Sequence, residues 1–287
     1  TVFDADLAGS TKTGVFKKAY PDRHFNCGIA EGNMMAVAAG AASMGMVVFA
    51  SSFAMFAAGR AFEQIRNSIG YPHLNVKIGA THGGISVGED GASHQCCEDF
   101  ALMRSIPGMV ILNPADHYEM LAAVKAAAEH VGPVYIRLGR LAVESFNNND
   151  DYKFEIGKGI TLRDGKDITI IATGLMVGEA VKAVKALEAA GIDARLIDMH
   201  TIKPLDTELV LKAAQETGRI VTVEEHNVMG GLGEAVASYL SEVCPTPVTK
   251  IGVNDVFGHS GPAVDLLKEF GLSAENIEAT VKKVLGK

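Results

Sequence analysis

The chain has 287 residues, of which 48% are hydrophobic and 21% charged, and its net charge at neutral pH is −8. A chain of this length has enough apolar material for two domains or one large domain. The acidic balance argues against a nucleic-acid partner, because such binding needs a basic patch, whereas a local cleft can still bind a small anion.

The cysteines and the apolar runs narrow the class of protein further. The four cysteines, Cys27, Cys96, Cys97 and Cys244, show no C-x-x-C spacing, so we expect free thiols in a reducing, cytoplasmic compartment. The longest apolar run, 34–50, is broken by a serine and by glycines, and it predicts a buried helix followed by a strand rather than a membrane span. We expect no signal peptide, and a domain that opens on its first strand can lack an upstream helix.

Strand-like and helix-like segments alternate along the first half of the chain. In chain order they are TVFDADL, a polar loop, RHFNCG, a helix over 32–44, MVVFAS, a helix near 56–69, NVKIGAT, a Gly-rich loop, a short helix near 95–103, MVILNP, a helix over 116–130 and PVYIRL. Short apolar strands that alternate with helices predict a parallel sheet covered on both faces.

A second series of the same kind follows the polar stretch FNNNDDYKFE, which is the predicted linker. It consists of DITIIATG, a helix over 175–190, DARLIDM, a helix over 206–217, RIVTVEE, a helix over 231–242, VTKIGV and two terminal helices. We therefore predict an α/β protein with two open, mostly parallel doubly wound domains, 1–143 and 157–287, joined by a linker over 144–156. Ligands of such domains bind beyond the carboxyl ends of the strands, so the loops there are the candidate sites.

Glu31 is the one acidic side chain in FNCGIAEGNMMAVAAGAASMG, and it stands at the start of an apolar helix. A carboxylate there can simply stabilise the helix dipole, by about 0.3–1 kcal/mol. However, Gly28 and Gly32 flank it, and a helix that is apolar on every face is predicted to be buried, with a desolvated mouth. Desolvation favours a protonated carboxyl, which can donate a hydrogen bond to a ring nitrogen. Both interpretations stay open.

The loop GGISVGEDGASHQ (83–95) is rich in glycine, contains the acidic residue Asp90, and is bracketed by His82 and His94. Its alternatives are a metal site, a plain flexible loop or an active-site loop. A metal site is disfavoured because the histidines are twelve residues apart and no cysteine is placed to complete a ligand set. Long Gly-rich loops in compact domains are usually functional, which favours an active-site loop.

Phe53 and Phe56 lie three residues apart just after a strand end. Core packing is the simple explanation for such a pair. The functional alternative is an aromatic platform for a flat heterocycle.

Arg137 and Arg140 lie at the end of another strand, and Ser10 lies at the corresponding end of the first. Arginines in such positions either lie solvated or bind phosphate or carboxylate groups in a bidentate manner. In the second half, EEHNVMGGLGEAV lacks the G-x-G-x-x-G spacing of a nucleotide site, so we expect scaffold and dimer contacts there. His200, His226 and His259 are interpreted as structural.

Five motifs occur in an order that resembles the thiamine-diphosphate enzymes of the transketolase family. They are GIAEGNMM, SSFAMF, GEDGASHQ, LIDMHTIKPLD and VEEHNVMGGLG, and they span most of the chain. The resemblance implies a pyrimidine-binding domain followed by the family's C-terminal domain. It also implies ketol transfer, in which thiamine diphosphate acts as the electron sink.

The resemblance assigns roles on the cofactor side. Glu31 matches the glutamate that forms a hydrogen bond with N1′ of the aminopyrimidine and thereby helps to activate the thiazolium carbon. Phe56 matches the aromatic residue that stacks on the pyrimidine, and Phe53 lies beside it.

On the substrate side, Asp90 and His94 match residues that contact the sugar hydroxyls and carbonyl oxygen. Ser10 and Arg140 match groups that hold the sugar phosphate, with Arg137 as a further candidate. His82 lies seven residues before the Glu of GED, as in transketolase-like sequences, whereas the related deoxyxylulose-phosphate synthases tend to carry Asp there. His82 therefore favours ketol transfer among the family's activities.

One departure from the family pattern is informative. The family binds diphosphate and Mg²⁺ through G-D-G and a downstream Asn, but this chain contains no G-D-G, and its only Asn cluster, 147–149, lies in the predicted linker. We therefore expect no metal ligand in this chain, and a partner subunit that supplies the Mg²⁺ and diphosphate site, in an α2β2 arrangement. The alternatives are a carboligase subunit that uses pyruvate and a catalytically silent assembly subunit.

Overall fold

The computed structural model describes residues 1–147 and 152–287, so the predicted linker is described only in part. The strands are β1 (Val2–Asp4), β2 (His24–Asn26), β3 (Val48–Phe53), β4 (Val76–Thr81), β5 (Val110–Leu112), β6 (Val134–Arg137), β7 (Ile160–Arg163), β8 (Ile168–Ala172), β9 (Ala194–Asp198), β10 (Thr201–Lys203), β11 (Ile220–Asn227) and β12 (Val248–Val253). The α-helices are α1 (Ala8–Thr11), α2 (Thr13–Ala19), α3 (Glu31–Ser43), α4 (Phe62–Gln64), α5 (Asp99–Arg104), α6 (His117–Glu129), α7 (Leu175–Ala189), α8 (Thr207–Thr217), α9 (Leu232–Val243), α10 (Ala263–Glu269) and α11 (Ala274–Leu285). Two π-helical turns, Met55–Arg60 and Ile65–Gly70, flank α4, and a 3₁₀ segment covers Ile85–Asp90.

The described strands form two sheets. The larger has the order β10-β5-β6-β4-β3-β1-β2 and the smaller the order β12-β11-β8-β9-β7. All pairs are parallel except β10 with β5 and β7 with β9. The prediction of two open, mostly parallel α/β sheets is confirmed, and most strands and helices lie within a few residues of their predicted positions. No helix among the described residues is both long and apolar enough to cross a membrane.

The segment after β1 was predicted to be a polar loop, and this prediction was wrong. It forms α1 and α2, which are separated by Lys12 in a left-handed backbone conformation (φ 65°). Neither helix contains a fully buried residue. Because sequence periodicity reports a helix through its buried apolar face, these two helices give no such signal.

Strand β10 joins the two halves of the chain. It lies in the second half of the sequence but pairs antiparallel with β5 at the edge of the larger sheet, with Thr201 opposite Leu112. Its Lys203 ammonium donates hydrogen bonds to the carbonyl oxygens of Arg104 (2.8 Å) and Ile106 (2.7 Å). One hydrophobic cluster likewise contains residues from both halves. The two sheets therefore share a continuous core.

Candidate functional site

Glu31 is the first residue of α3, directly after the turn that follows β2. Only 2% of its side chain is exposed, and Nη1 of Arg60 lies 3.2 Å from each carboxylate oxygen. Arg60 is itself 53% exposed, and it is the one side chain that bonds the carboxylate among the described residues. The site thus has a buried carboxylate whose charged partner borders solvent.

The prediction that α3 is buried all round was wrong. One face packs in the core through Met34, Met35, Ala38, Ala39 and Ala42. The opposite face includes Val37, which is 43% exposed, and apolar residues just outside the helix, Ile29 and Met44, are 76% and 81% exposed. Within this chain, Ile29 before α3, Val37 on its outer face and Met44 after it therefore remain exposed to solvent.

Four rings gather close to the start of α3. The Phe53 ring stacks on His82 with centroids 3.9 Å apart and on Phe56 at 5.9 Å, while His94 meets the edge of Phe56 at 5.0 Å. The guanidinium carbon of Arg60 lies 4.3 Å from the centroid of the Phe56 ring. Arg60 therefore links the aromatic cluster to the buried carboxylate, although it did not figure among the sequence candidates.

His82 follows β4 in a left-handed backbone conformation (φ 58°), and its Nδ1 lies 3.0 Å from the Thr81 hydroxyl. Burial lowers the pKa of His82, and the nearby positive charges of Arg140 and Lys12 lower it further, whereas Asp90 raises it. Because these charges act on one imidazole, the residues belong to one electrostatic environment. The ring is neutral at pH 7 and can donate one hydrogen bond and accept another.

Asp90 and Arg140 lie at the outer side of the loop 83–95. Asp90 is exposed, and the half-exposed Arg140 forms an ion pair with Glu89 (2.7 Å) and donates a hydrogen bond to the Val87 carbonyl. His94 is partly buried, and its Nδ1 lies 3.0 Å from the Ser93 hydroxyl. The loop therefore carries these polar groups at or near the solvent boundary.

Ser10 lies exposed in α1, and its hydroxyl forms no hydrogen bond with the described residues. Its neighbour Lys12 is close enough to His82 to lower the pKa of that imidazole. The turn between α1 and α2 thus borders the same environment as the predicted site residues, and Lys12 is a cation there that the sequence argument missed.

Arg137 corrects a sequence expectation. It was predicted to hold a substrate phosphate, but its guanidinium is buried and forms an ion pair with Asp99 (Nε to Oδ2, 3.1 Å). It also donates hydrogen bonds to the carbonyl oxygens of Glu225 (2.7 Å) and Cys96 (3.3 Å). Because the guanidinium is buried and held by these partners, this arginine is unavailable to a phosphate at the surface.

The residues around the start of α3 fit the aminopyrimidine half of thiamine diphosphate. A carboxylate at a helix mouth beside flat ring faces suits an aminopyrimidine, which needs a ring-nitrogen partner and a stacking surface. Across residues 1–147 and 152–287, no three His, Cys, Asp or Glu side chains cluster as a metal site would require. All four cysteines are free thiols.

The fold and the site define a two-sheet α/β protein in which a buried carboxylate at the start of a helix lies beside a cluster of aromatic rings. Residues 1–145 match the family model for the transketolase pyrimidine binding domain, and residues 157–277 match the model for the transketolase C-terminal domain. The chain belongs to the transketolase family.

Similar proteins described as transketolase sections or subunits support this family assignment. The chain is 51% identical to a putative transketolase C-terminal section from Methanocaldococcus jannaschii, over 100% of the chain and 90% of the relative. It is 43% identical to the 6-deoxy-6-sulfo-D-fructose transketolase subunit SqwH of Clostridium sp., with coverages of 98% and 87%. It is 42% identical to a subunit of the apulose-4-phosphate transketolase of Phocaeicola vulgatus, with coverages of 98% and 90%.

A solved structure described as a split gene transketolase, inactive beta4 tetramer, superposes with a TM-score of 0.92 at 56% identity. The match covers 100% of this chain and 92% of that one. The chain is therefore similar in sequence and in fold to a transketolase-family protein described as split-gene.

Proposed function

We propose that this chain supplies the pyrimidine-binding half of a thiamine-diphosphate site in a split transketolase, which transfers a two-carbon ketol unit between sugars. The observation that carries this proposal is the buried Glu31 carboxylate at the mouth of α3, beside the Phe56 ring. We further propose residues 1–143 and 157–287 as the two domains, joined by residues 144–156, and a cytoplasmic location.

Each side chain has a stated task in this proposal. Thiamine diphosphate, when bound, supplies the electron sink for cleavage of the ketose carbon–carbon bond. Glu31 holds a hydrogen bond to the aminopyrimidine ring nitrogen, and Phe53 and Phe56 provide the apolar ring surface. Arg60 shifts from the carboxylate to make room, which its exposure permits.

The loop 83–95 and its neighbours bind the sugar. Neutral His82, with His94 and Asp90, forms hydrogen bonds to the sugar hydroxyls and carbonyl oxygen, because these are the uncharged polar groups that a ketose presents. Arg140 and Ser10 bind the anionic end of the sugar, which requires Arg140 to exchange Glu89 for the substrate.

A partner polypeptide completes the site. In the resemblance above, the Mg²⁺ and diphosphate site rests on a G-D-G motif, which this sequence does not contain, and we assign that site to a second chain. The exposed Val37 and Met44 beside α3 form an apolar surface that such a partner can cover. An α2β2 assembly is the arrangement that we propose.

The related subunits act on different sugars, which leaves the donor open. By their descriptions, one relative belongs to a sulfofructose transketolase and another to an apulose-4-phosphate transketolase. Both compounds carry an anionic group at one end, as the Arg140 and Ser10 assignment requires. A carboligase subunit that uses pyruvate and a silent assembly subunit are the alternatives.

Reconstitution tests the proposal. The chain is mixed with the N-terminal transketolase subunit that carries G-D-G, thiamine diphosphate and Mg²⁺, and xylulose 5-phosphate, 6-deoxy-6-sulfofructose and pyruvate are offered as separate donors. We expect ketol transfer from a ketose in the mixture and none from either chain alone. Activity of this chain by itself contradicts the half-site, and turnover of pyruvate alone supports the carboligase.

A matched pair of variants separates a working subunit from a silent one. In the reconstituted complex, Glu31→Gln is expected to reduce the rate about 100-fold or more, the usual contribution of a group that handles a proton. Glu63→Gln, at an exposed glutamate of α4, is expected to leave the rate unchanged. Full activity of the Glu31→Gln complex would support the alternative in which this chain is a catalytically silent assembly subunit.

A further inference from the structure

The loop 83–95 is anchored on the second half of the chain. Its Ile85 side chain is fully buried in a hydrophobic cluster made mostly of second-half residues, including Val223 and Leu266. The amide of Ser86 donates a 2.6 Å hydrogen bond to Oε1 of Glu225, which lies on β11. The inner side of the proposed sugar-binding loop therefore rests on a strand that carries none of the site residues assigned above.

A second contact fixes the far end of this loop. Nε2 of Gln95 donates hydrogen bonds to the carbonyl oxygens of Ile85 (3.2 Å) and His259 (3.0 Å). The loop also lies so close to the segment before α10 that a Cβ on Gly91 would lie 2.5 Å from the Ser260 hydroxyl. Both ends of the loop are thus held against the second half of the chain.

Glu225 has no role in the chemistry proposed above, yet it is a fully buried carboxylate. Burial raises its pKa, and the Arg137 charge and the Ser86 amide act in the opposite direction. Gly84, at φ 89°, brings the loop backbone so close that an added Cβ would overlap the Glu225 carboxyl group. A buried acceptor aimed at a loop amide over a sequence separation of 139 residues is well suited to hold that loop in one position.

We propose that Glu225 is a positioning residue: through the Ser86 amide it holds the loop 83–95 so that Asp90 and His94 face the sugar, an inference that rests on the proposed function. The second half of the chain then contributes to substrate binding, beyond the scaffold role that the sequence predicted. Removing the acceptor leaves the Ser86 amide buried without its partner, which favours open conformations of the loop.

Glu224 provides a matched control for Glu225. It is the adjacent residue and equally buried, but its oxygens accept from the amides of Leu232 (2.7 Å) and Gly233 (2.8 Å) at the start of α9. Its bonds therefore lie within the second half of the chain. Loss of Glu224 is expected to loosen α9 and to leave the loop in place.

The first experiment needs no partner and no activity. Backbone amide hydrogen exchange is measured by mass spectrometry on the full chain carrying Glu225→Ala or Glu224→Ala. We expect exchange over residues 83–95 to become about tenfold faster in Glu225→Ala, and to stay at the wild-type rate in Glu224→Ala. If Glu225→Ala does not fold, Glu225→Met keeps most of the volume and removes the acceptor. Wild-type exchange of the loop in a folded Glu225 variant refutes the proposal.

The second experiment uses the complex reconstituted with the N-terminal subunit. We expect Glu225→Ala to reduce kcat/KM for the ketose donor about tenfold, mainly through KM, and to change the Kd for thiamine diphosphate less than about twofold. Glu225→Gln, whose amide oxygen can accept from Ser86, is expected to restore most of the loss. Equal losses for donor and cofactor contradict a positioning role, whereas an inactive wild-type complex contradicts the proposed function and leaves the exchange result standing.

Discussion

The mouth of α3 and the loop 83–95 carry the two halves of one candidate site, but this chain encloses them to very different degrees. At the mouth, the half-exposed Arg60 is the one side chain among the described residues that bonds the buried Glu31, and the apolar residues beside it are exposed. The loop, in contrast, is bonded to Glu225 and buried through Ile85. The chain therefore supports the loop 83–95 from both halves of its sequence and leaves the start of α3 bordered by solvent.

The largest effect on stability is expected in the interior that supports the loop 83–95, where Arg137 and Asp99 form a buried ion pair. Asp99→Ala leaves the guanidinium without its carboxylate and removes the acceptor of the Tyr135 hydroxyl. We expect a loss of about 3–5 kcal/mol in the free energy of unfolding, measured by urea denaturation. Glu89→Gln, which breaks the surface pair with Arg140, is the control and is expected to cause no measurable loss. Equal losses of unfolding free energy in the two variants would show that the buried pair contributes no more to stability than the surface pair.

Substitutions of two glycines with positive φ allow the loop 83–95 and the start of α3 to be compared directly. Gly84→Ala (φ 89°) adds backbone strain and overlaps the Glu225 carboxyl group, and we expect it to cost about 2–4 kcal/mol. Gly28→Ala (φ 71°) lies near the α3 mouth with nothing within 4 Å of the added Cβ, so we expect only the backbone term, about 1–2 kcal/mol. Denaturation curves of both variants give the difference. A larger loss for Gly28→Ala contradicts the contrast between the enclosed and open regions.

Two buried carboxyl groups near the predicted linker should make the free energy of unfolding depend on pH. Glu119 of α6 and Asp198 of β9 are buried together near Asp116, and the Tyr152 hydroxyl donates to Glu119 (2.6 Å). Burial raises the pKa of Glu119 to about 7, and burial and the neighbouring Glu119 raise that of Asp198. The stabilisation from protonating this pair is full below the unfolded pKa, near 4, and is lost as the pH rises to about 7.

We therefore expect the free energy of unfolding to fall by on the order of 1–3 kcal/mol between pH 5 and pH 8. Asp198→Asn is expected to flatten this dependence, and Asp265→Asn, at an exposed position on α10, is expected to preserve it. Chemical denaturation at each pH is the measurement. A flat wild-type curve would show that no proton is held by these two carboxyl groups.

The smallest effect on stability is expected at the open face of α3. Val37→Lys places a charge where the side chain is already exposed, so the free energy of unfolding should change by less than about 0.5 kcal/mol. The same variant is expected to abolish complex formation with the N-terminal subunit in analytical ultracentrifugation. Val243→Lys, at an exposed valine at the end of α9, should assemble normally. Normal assembly of Val37→Lys places the partner on another surface.

Sequence patterns predicted the parts of this molecule that local chemistry determines. The helices predicted over 32–44, near 56–69 and over 175–190 correspond to α3, to the π-helical and α-helical segment after β3, and to α7. The sequence candidates Phe53, Phe56, His82 and His94 do meet as one ring cluster, because the carboxyl ends of parallel strands lie at one edge of the sheet.

The remainder depends on contacts between distant segments. Arg137 and Arg140 have the same chemistry in YIRLGR, and only the packing of Asp99 and Glu225 against β6 shows that the first is internal. Strand β10 is three residues long, and its partner β5 lies 89 residues earlier in the chain, counted from Thr201 to Leu112. No local pattern identifies such a pairing, and none identifies Glu225 as the acceptor for Ser86.

The most direct measurement of the central claim is the exchange of the thiazolium C2 proton of thiamine diphosphate for deuterium, followed by NMR with Mg²⁺ present. We predict accelerated exchange only when this chain and the N-terminal subunit are mixed, and a loss of about 100-fold or more in Glu31→Gln. Accelerated, Glu31-dependent exchange with this chain alone, or undiminished exchange in the Glu31→Gln complex, would contradict the account of an open half-site that depends on Glu31.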